Sequence, residues 1–230
     1  MKNGPLVKLL TEKGYLASPL VRAAFGAIDR KDFVEEDTKD EAYGNHPLPI
    51  GFGQTISQPL TVAFMLELLE ARAGEKVLEI GAGSGWQSAL LGHIVKGPAQ
   101  EGTQEGNELR GRVIAVERVE ELADRATRNI EQYHLISDGT VRVVRGDGSE
   151  GRKEDAPYDR IIAAASADAV PAAWKEEVRI GGRIVAPVGE SIIVLDKTGP
   201  HTFKKRQYFG FHFVPLVREK GVDRNEGPAL

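Results

Sequence analysis

Cysteine is absent from this chain of 230 residues. That removes disulfides, thiolate metal ligands and cysteine nucleophiles from consideration. Long apolar runs are missing as well. The first ten residues are too short and too interrupted for a secretory h-region, and no stretch approaches a membrane span, so a soluble protein of the cytoplasm is expected, with no membrane partner. Neither sign of charge dominates: 30 Lys and Arg stand against 34 Asp and Glu, a net charge of -4. Such a balance gives no bulk attraction to nucleic acid or an anionic membrane, and no nucleic-acid partner is expected. The five histidines are scattered without a ligand spacing, so no metal is expected. There is neither a Ser/Gly/Pro linker nor an internal repeat, which leaves one domain over residues 1–230.

What the chain does hold is concentrated in VLEIGAGSG, residues 77–85. An apolar strand runs straight into glycines at 81, 83 and 85 and then into a helical pattern over 84–95. Glycine permits positive φ and close backbone approach, and the free N–H groups of a helix start face whatever lies there. A dinucleotide fingerprint wants Gly or Ala where Trp86 stands. The spacing instead resembles motif I of class I S-adenosylmethionine (AdoMet) methyltransferases. Two carboxylates downstream fit that likeness. Residues 112–117 read as a strand closing on Glu117, and 141–145 as another followed by Gly146, Asp147 and Gly148. An acid closing the second strand accepts from both ribose hydroxyls, and one after the third accepts from the adenine amino group; ionised carboxylates are acceptors only. The plain alternatives are solvation of a strand end for Glu117 and an Asx turn beside glycine for Asp147.

Elsewhere the pattern predicts a helix over 5–13 and a second beginning at Ser18, Pro19 and Leu20, with proline at its first position. The acidic run 35–41 reads as a solvated loop, and 60–70 as an apolar helix. From Val77 onward strand and helix alternate, with Leu122, Ala126, Ile130 and Tyr133 sharing a face of a crossover helix. Further strands are expected at 158–163, 183–186 and 191–196, punctuated by Gly181, Gly182 and Gly189. Residues 96–112 read as an exposed loop, and 203–217 as a strand with one buried aromatic face rather than a base-stacking surface. The expected fold is α/β: a doubly wound, largely parallel, Rossmann-like sheet over 73–230, preceded by a helical, substrate-side extension over 1–72.

Taken together, four segments carry a resemblance to the protein-L-isoaspartate O-methyltransferase family. They are AYGNHPLPIGFGQTISQP (42–59), VLEIGAGSGWQSALL (77–91), GDGSEG with APYDRII (146–151, 156–162), and GGRIVAPVG with FVPLV (181–189, 213–217). The resemblance implies methyl transfer from AdoMet, leaving S-adenosylhomocysteine, to the free α-carboxylate of L-isoaspartyl residues in damaged proteins and peptides. It makes Ser57 the active-site serine, orienting the substrate carboxylate, with Thr55 and Ile56 shaping the loop over the cofactor. Gly81, Gly83 and Gly148 would offer backbone to the cofactor, Glu117 and Asp147 the contacts above, and Glu79 a water-mediated reach to its ammonium. Ser57 has an alternative as N-cap of the following helix, and Glu79 as a cap on local backbone donors.

The chain departs from the family at Leu60, at Trp86, in Ala163, Ala164 and Ala165 where a threonine is usual, and in a longer 96–112 segment. Rival readings are a related carboxyl methyltransferase with another acceptor and an AdoMet-binding protein without turnover. Nucleophile-elbow, P-loop and zincin patterns are absent. So is the Asn/Asp-Pro-Pro-aromatic run of amino-group methyltransferases.

Overall fold

The computed structural model describes residues 3–97 and 111–217. The chain opens with helices α1 (Gly4–Glu12) and α2 (Pro19–Ala27), each with proline in its first turn, where a missing N–H costs nothing. Ser18 stands at the N-cap of α2 without a side-chain capping bond; its own N–H donates to Glu67 Oε1 at 2.9 Å. The acidic run is not a loop. Glu36–Glu41 forms a 3-10 helix, and Glu35 pairs with Arg125.

A hairpin of β1 (Leu48–Gly51) and β2 (Gln54–Ile56) leads into α3 (Pro59–Leu69). Then come β3 (Lys76–Ile80), α4 (Trp86–Lys96), β4 (Arg112–Glu117), α5 (Glu120–Glu131), β5 (Val141–Arg145) and β6 (Tyr158–Ala163). Last are α6 (Ala172–Glu177), β7 (Val178–Val188), β8 (Ser191–Lys197) and β9 (Phe203–Phe209). Apart from its ends, the predicted 96–112 loop lies outside the described residues.

The seven large-sheet strands run in the order β5-β4-β3-β6-β7-β8-β9. The first five are parallel, β8 runs against them, and β9 pairs antiparallel with β8. β3, β4 and β5 step toward one edge, while β6 and β7 step toward the other. Right-handed crossovers therefore lie on opposite faces, and the reversal falls between β3 and β6. Alternation along the strands separates two cores. Val77, Val113 and Ala115 join residues of α1 through α5, whereas Leu78, Ile114 and Val116 join Tyr158 and Trp174. Five helices thus share one face, and α6 serves the other.

Two expectations are corrected at the C-terminal side. β7 begins at Val178, ahead of the predicted 183–186, and runs through Gly181 and Gly182, because Gly182 lies so close to Asp159 O and Arg179 O that a side chain would not fit. The tail is a strand only as far as Phe209, and its aromatic face is half-buried: Phe64 meets Tyr208 edge-on at 5.3 Å and stacks on Phe211 at 5.2 Å. β9 ends the sheet with Lys204, Lys205 and Gln207 exposed.

Candidate functional site

The turn after β3 sits at the reversal point of the sheet, where doubly wound folds open a crevice beyond the strand ends. Gly81, Gly83 and Gly85 have φ of +86°, +56° and +92°, a left-handed region that costs other residues strain. Gly81 N–H donates to Val116 O at 2.8 Å, and Ala164 N–H to Ile80 O at 2.8 Å, so the turn is sewn to both neighbouring strands. A Cβ on Gly81 would meet only Ala164 at 3.7 Å, and one on Gly83 only Ile50 Cδ1 at 3.3 Å. Gly81 therefore has room for no more than ordinary contact, and Gly83 is closely approached by the Ile50 side chain of β1. Gly85 is different: it caps α4, and a Cβ there would strike Ile130 at 3.0 Å and Ala126 Cα at 3.1 Å, so its role is helix packing. The helix itself starts at Trp86, two residues later than predicted.

A cleft over this turn is lined by Thr55, Ile56, Ser57, Gly81, Gly83 and Ala164, with Val62, Ser84, Trp86 and Gln87 completing the wall. The sequence-predicted serine loop and glycine turn are thus brought together from opposite sides. Ser57 does not cap α3. Gln58 holds the N-cap position without a side-chain bond, and the first-turn N–H of Leu60 is taken by Asn45 Oδ1 at 3.0 Å. Within the wall, Ser84 Oγ and Trp86 Nε1 are buried without a hydrogen-bond partner. Buried polar atoms are nearly always paired, so the unpartnered Ser84 hydroxyl beside the glycine turn fits a polar occupant there.

The predicted carboxylates fall into two groups. Glu117 ends β4, 6% exposed, and accepts from Gly83 N–H at 2.9 Å through Oε2 and from Val119 N–H at 3.0 Å through Oε1. It holds the glycine turn directly. Asp147 Oδ1 accepts from Ser149 N–H at 2.8 Å, so the Asx-type turn exists. Gly148 is buried under Ile80, whose Cγ2 a Cβ would meet at 2.5 Å, and its carbonyl accepts from Trp174 Nε1 at 2.8 Å. Glu79 caps no backbone. It is wholly buried in β3 and accepts from Gln87 Nε2 at 3.1 Å and Ser88 Oγ at 2.5 Å, both on α4. Burial, aided by the charge of Glu117 and opposed by the Ser88 and Gln87 hydrogen bonds, pushes its carboxyl up to about 8, so it is largely protonated at neutral pH.

Arg30 escaped the sequence reading. Its guanidinium is fully buried, with the Cζ 5.3 Å from the Trp86 ring centroid. It donates to the carbonyls of Ala42 at 2.7 Å, Gly44 at 3.3 Å, His46 at 3.1 Å and Ser57 at 3.2 Å. Burial lowers it to about 10. One side chain thereby pins the whole segment that carries Ser57. Ala164 and Gln87 were also missed; only their places, at the end of the strand beside β3 and in the first turn of α4, could have signalled them.

With this geometry in view, likeness to known proteins is informative. A profile of the protein-L-isoaspartate(D-aspartate) O-methyltransferase family matches residues 1–221. Among curated proteins, the protein-L-isoaspartate O-methyltransferase of Methanopyrus kandleri is 42% identical over 96% of this chain and 93% of its own length. That of Aeropyrum pernix is 41% identical over 94% and 79%. A solved protein-L-isoaspartate O-methyltransferase superposes with TM-score 0.79 at 26% identity, covering 94% of this chain and 66% of that one. A Plasmodium falciparum chain in complex with S-adenosyl-L-homocysteine superposes with TM-score 0.80 at 21% identity, covering 94% and 98%.

Proposed function

The chain belongs to the protein-L-isoaspartate(D-aspartate) O-methyltransferase family, and from that premise we propose that the cleft between the Ser57 loop and the glycine turn is where it performs the family's reaction. That reaction is AdoMet-dependent repair: methylation of the free carboxylate of L-isoaspartyl residues in damaged proteins. The observation that carries the site is the meeting of Ser57, Gly81 and Gly83 in one cleft whose wall holds the unpartnered Ser84 hydroxyl.

AdoMet, when bound, supplies a methyl group on a sulfonium that leaves as a neutral thioether. The protein's own residues have modest chemical duties. A carboxylate, with a reference pKa of ~3.9, is already ionised at neutral pH, so no general base is needed. Alignment is the main contribution, and near-attack positioning is worth on the order of 7 kcal/mol or more in favourable cases. Ser57 orients the substrate carboxylate, held in place by Arg30 through its carbonyl. Thr55 and Ile56 close the loop side and keep water from the nucleophile.

Gly81 and Gly83, both in the cleft lining, offer backbone to the methionine portion. Each oxygen of Glu117 takes one backbone N–H and keeps a lone pair for a ribose hydroxyl. Asp147 takes the adenine side, with Gly148 as the floor against Ile80. Glu79 works through Gln87, which lines the cleft, rather than by touching the cofactor. Among the described residues no helix is long and apolar enough to cross a membrane. A cytoplasmic working place belongs to the same proposal.

The test is transfer of labelled methyl from AdoMet to an isoaspartyl peptide and to its normal aspartyl counterpart, with wild type and Ser57→Ala. Base-labile label on the isoaspartyl peptide alone, with a reduced kcat and near-native AdoMet affinity in the variant, is the expected result. Wild-type turnover in Ser57→Ala removes that serine from the site.

A further inference from the structure

The tip of the β1-β2 hairpin is a two-residue turn, Phe52 and Gly53, that needs positive φ at both positions and ordinarily takes Asn, Asp or Gly; here a phenylalanine fills the first. Phe52 has φ +54° and is 52% exposed, between Gly51 at +83° and Gly53 at +68°. The turn accounts for the left-handed backbone, but a bulky side chain there adds strain that Asn or Gly would avoid, so the choice of phenylalanine needs a reason of its own. Phe52 belongs to neither hydrophobic core, so the ring gains little inside the protein in return.

Its surroundings point the same way. Across the hairpin, Leu48 pairs with Ile56, and both face inward beside Ile50. Pro49 pairs with Thr55, and both are exposed. No charged side chain occurs between His46 and Glu67, although 28% of the chain is charged. The outward strip is therefore uncharged and carries one large apolar side chain at its end. β2 stops at Ile56, and Ser57 follows at once. At about 3.3 Å per residue, the extended part from Gln54 to Ser57 is roughly 10 Å, the span of about three residues of substrate, with the Phe52 turn at its far end.

We propose that this strip, with Phe52 as its apolar grip, docks the stretch of substrate peptide that flanks the isoaspartyl residue. The inference rests on Ser57 marking the reacting end. An extended peptide with its carboxylate at Ser57 lies along the hairpin, and its neighbouring side chains reach the Phe52 ring. An uncharged strip selects by backbone and apolar contact rather than by charge. That suits an enzyme whose substrates share a lesion and not a sequence.

Phe52→Gly gives a clean test, because glycine adopts this φ without strain and no core contact is lost. Steady-state kinetics are measured with an isoaspartyl hexapeptide bearing apolar flanks and with a truncated peptide that ends at the lesion, beside AdoMet affinity, Tm and sedimentation. We expect Tm unchanged or raised, AdoMet affinity unchanged, and a KM for the hexapeptide raised roughly tenfold, so that it loses its advantage over the truncated peptide. Phe52→Leu should fall between. An unchanged hexapeptide KM in Phe52→Gly overturns the dock whatever Ser57→Ala does, and a change in sedimentation in its place assigns the tip to self-association. Wild-type turnover in Ser57→Ala overturns the site itself, a separate failure.

Discussion

At the scale of single residues, the site is supported by groups whose ionic behaviour the fold has altered. Glu79 is the clearest. Folded, it keeps its proton up to about pH 8; unfolded, it releases it near its ordinary 4.5. Between those values the folded chain binds more protons, so stability is fully present below the unfolded pKa and is lost as pH rises through about 8. Glu79→Gln, which does not titrate, should escape that loss. Its stability relative to wild type should rise by on the order of a few kcal/mol from pH 5 to pH 9, measured by urea denaturation. A difference that stays flat with pH would mean that the carboxyl is not held protonated. The sequence showed Glu79 as an acid closing a strand, but not that Gln87 and Ser88 would answer it. Those partners follow one turn into α4, and only the folded turn brings them over the strand. Arg30 was illegible for a related reason. It sits in a charged stretch that reads as surface, and the four carbonyls that hold it lie 12 to 27 residues downstream.

Among the elements, the glycine turn was the most legible, because a positive φ writes itself into the sequence as glycine. Its three glycines are nonetheless unequal. Gly81 and Gly83 line the cleft with one side-chain neighbour each, while Gly85 lets α5 approach α4. Gly85→Ala should therefore cost roughly 2–5 kcal/mol, from strain at φ +92° together with overpacking against Ile130 and Ala126. Gly53→Ala, at φ +68° with nothing within 4 Å, should cost only about 1–2 kcal/mol. Equilibrium unfolding of the pair reads the difference directly, and equal costs would remove the packing role. Strand ends were also legible, since β4 closes on Glu117 as expected. The 3-10 helix at Glu36–Glu41 was not: its residues carry no apolar period, and the anchoring partner of Glu35 is Arg125 on α5, far along the chain.

For the molecule as a whole, the cleft joins residues from the N-terminal segment to the strand ends of the central sheet, and one core runs from Leu6 to Val194. A ligand held there is linked to global unfolding rather than to a fraying edge. AdoMet at a hundred times its Kd should add about 2.7 kcal/mol, which for a chain of this size raises Tm by roughly 5–11 °C. Calorimetry with and without AdoMet checks this, and an unmoved Tm would mean that the cofactor does not bind the native chain tightly at that concentration. The alternation of strand and helix foretold the sheet, but periodicity does not say how helices divide between two faces. Their gathering on one side comes from α1 through α3 joining the core that α4 and α5 share.

The last strand, β9, ends the sheet with Lys204 and Lys205 exposed along it, the kind of edge that discourages another chain from pairing there. A repair enzyme of this kind works among aged polypeptides, many of them partly unravelled and ready to add a strand to any open sheet. Charging its own border lets it handle sticky company without becoming part of the aggregate.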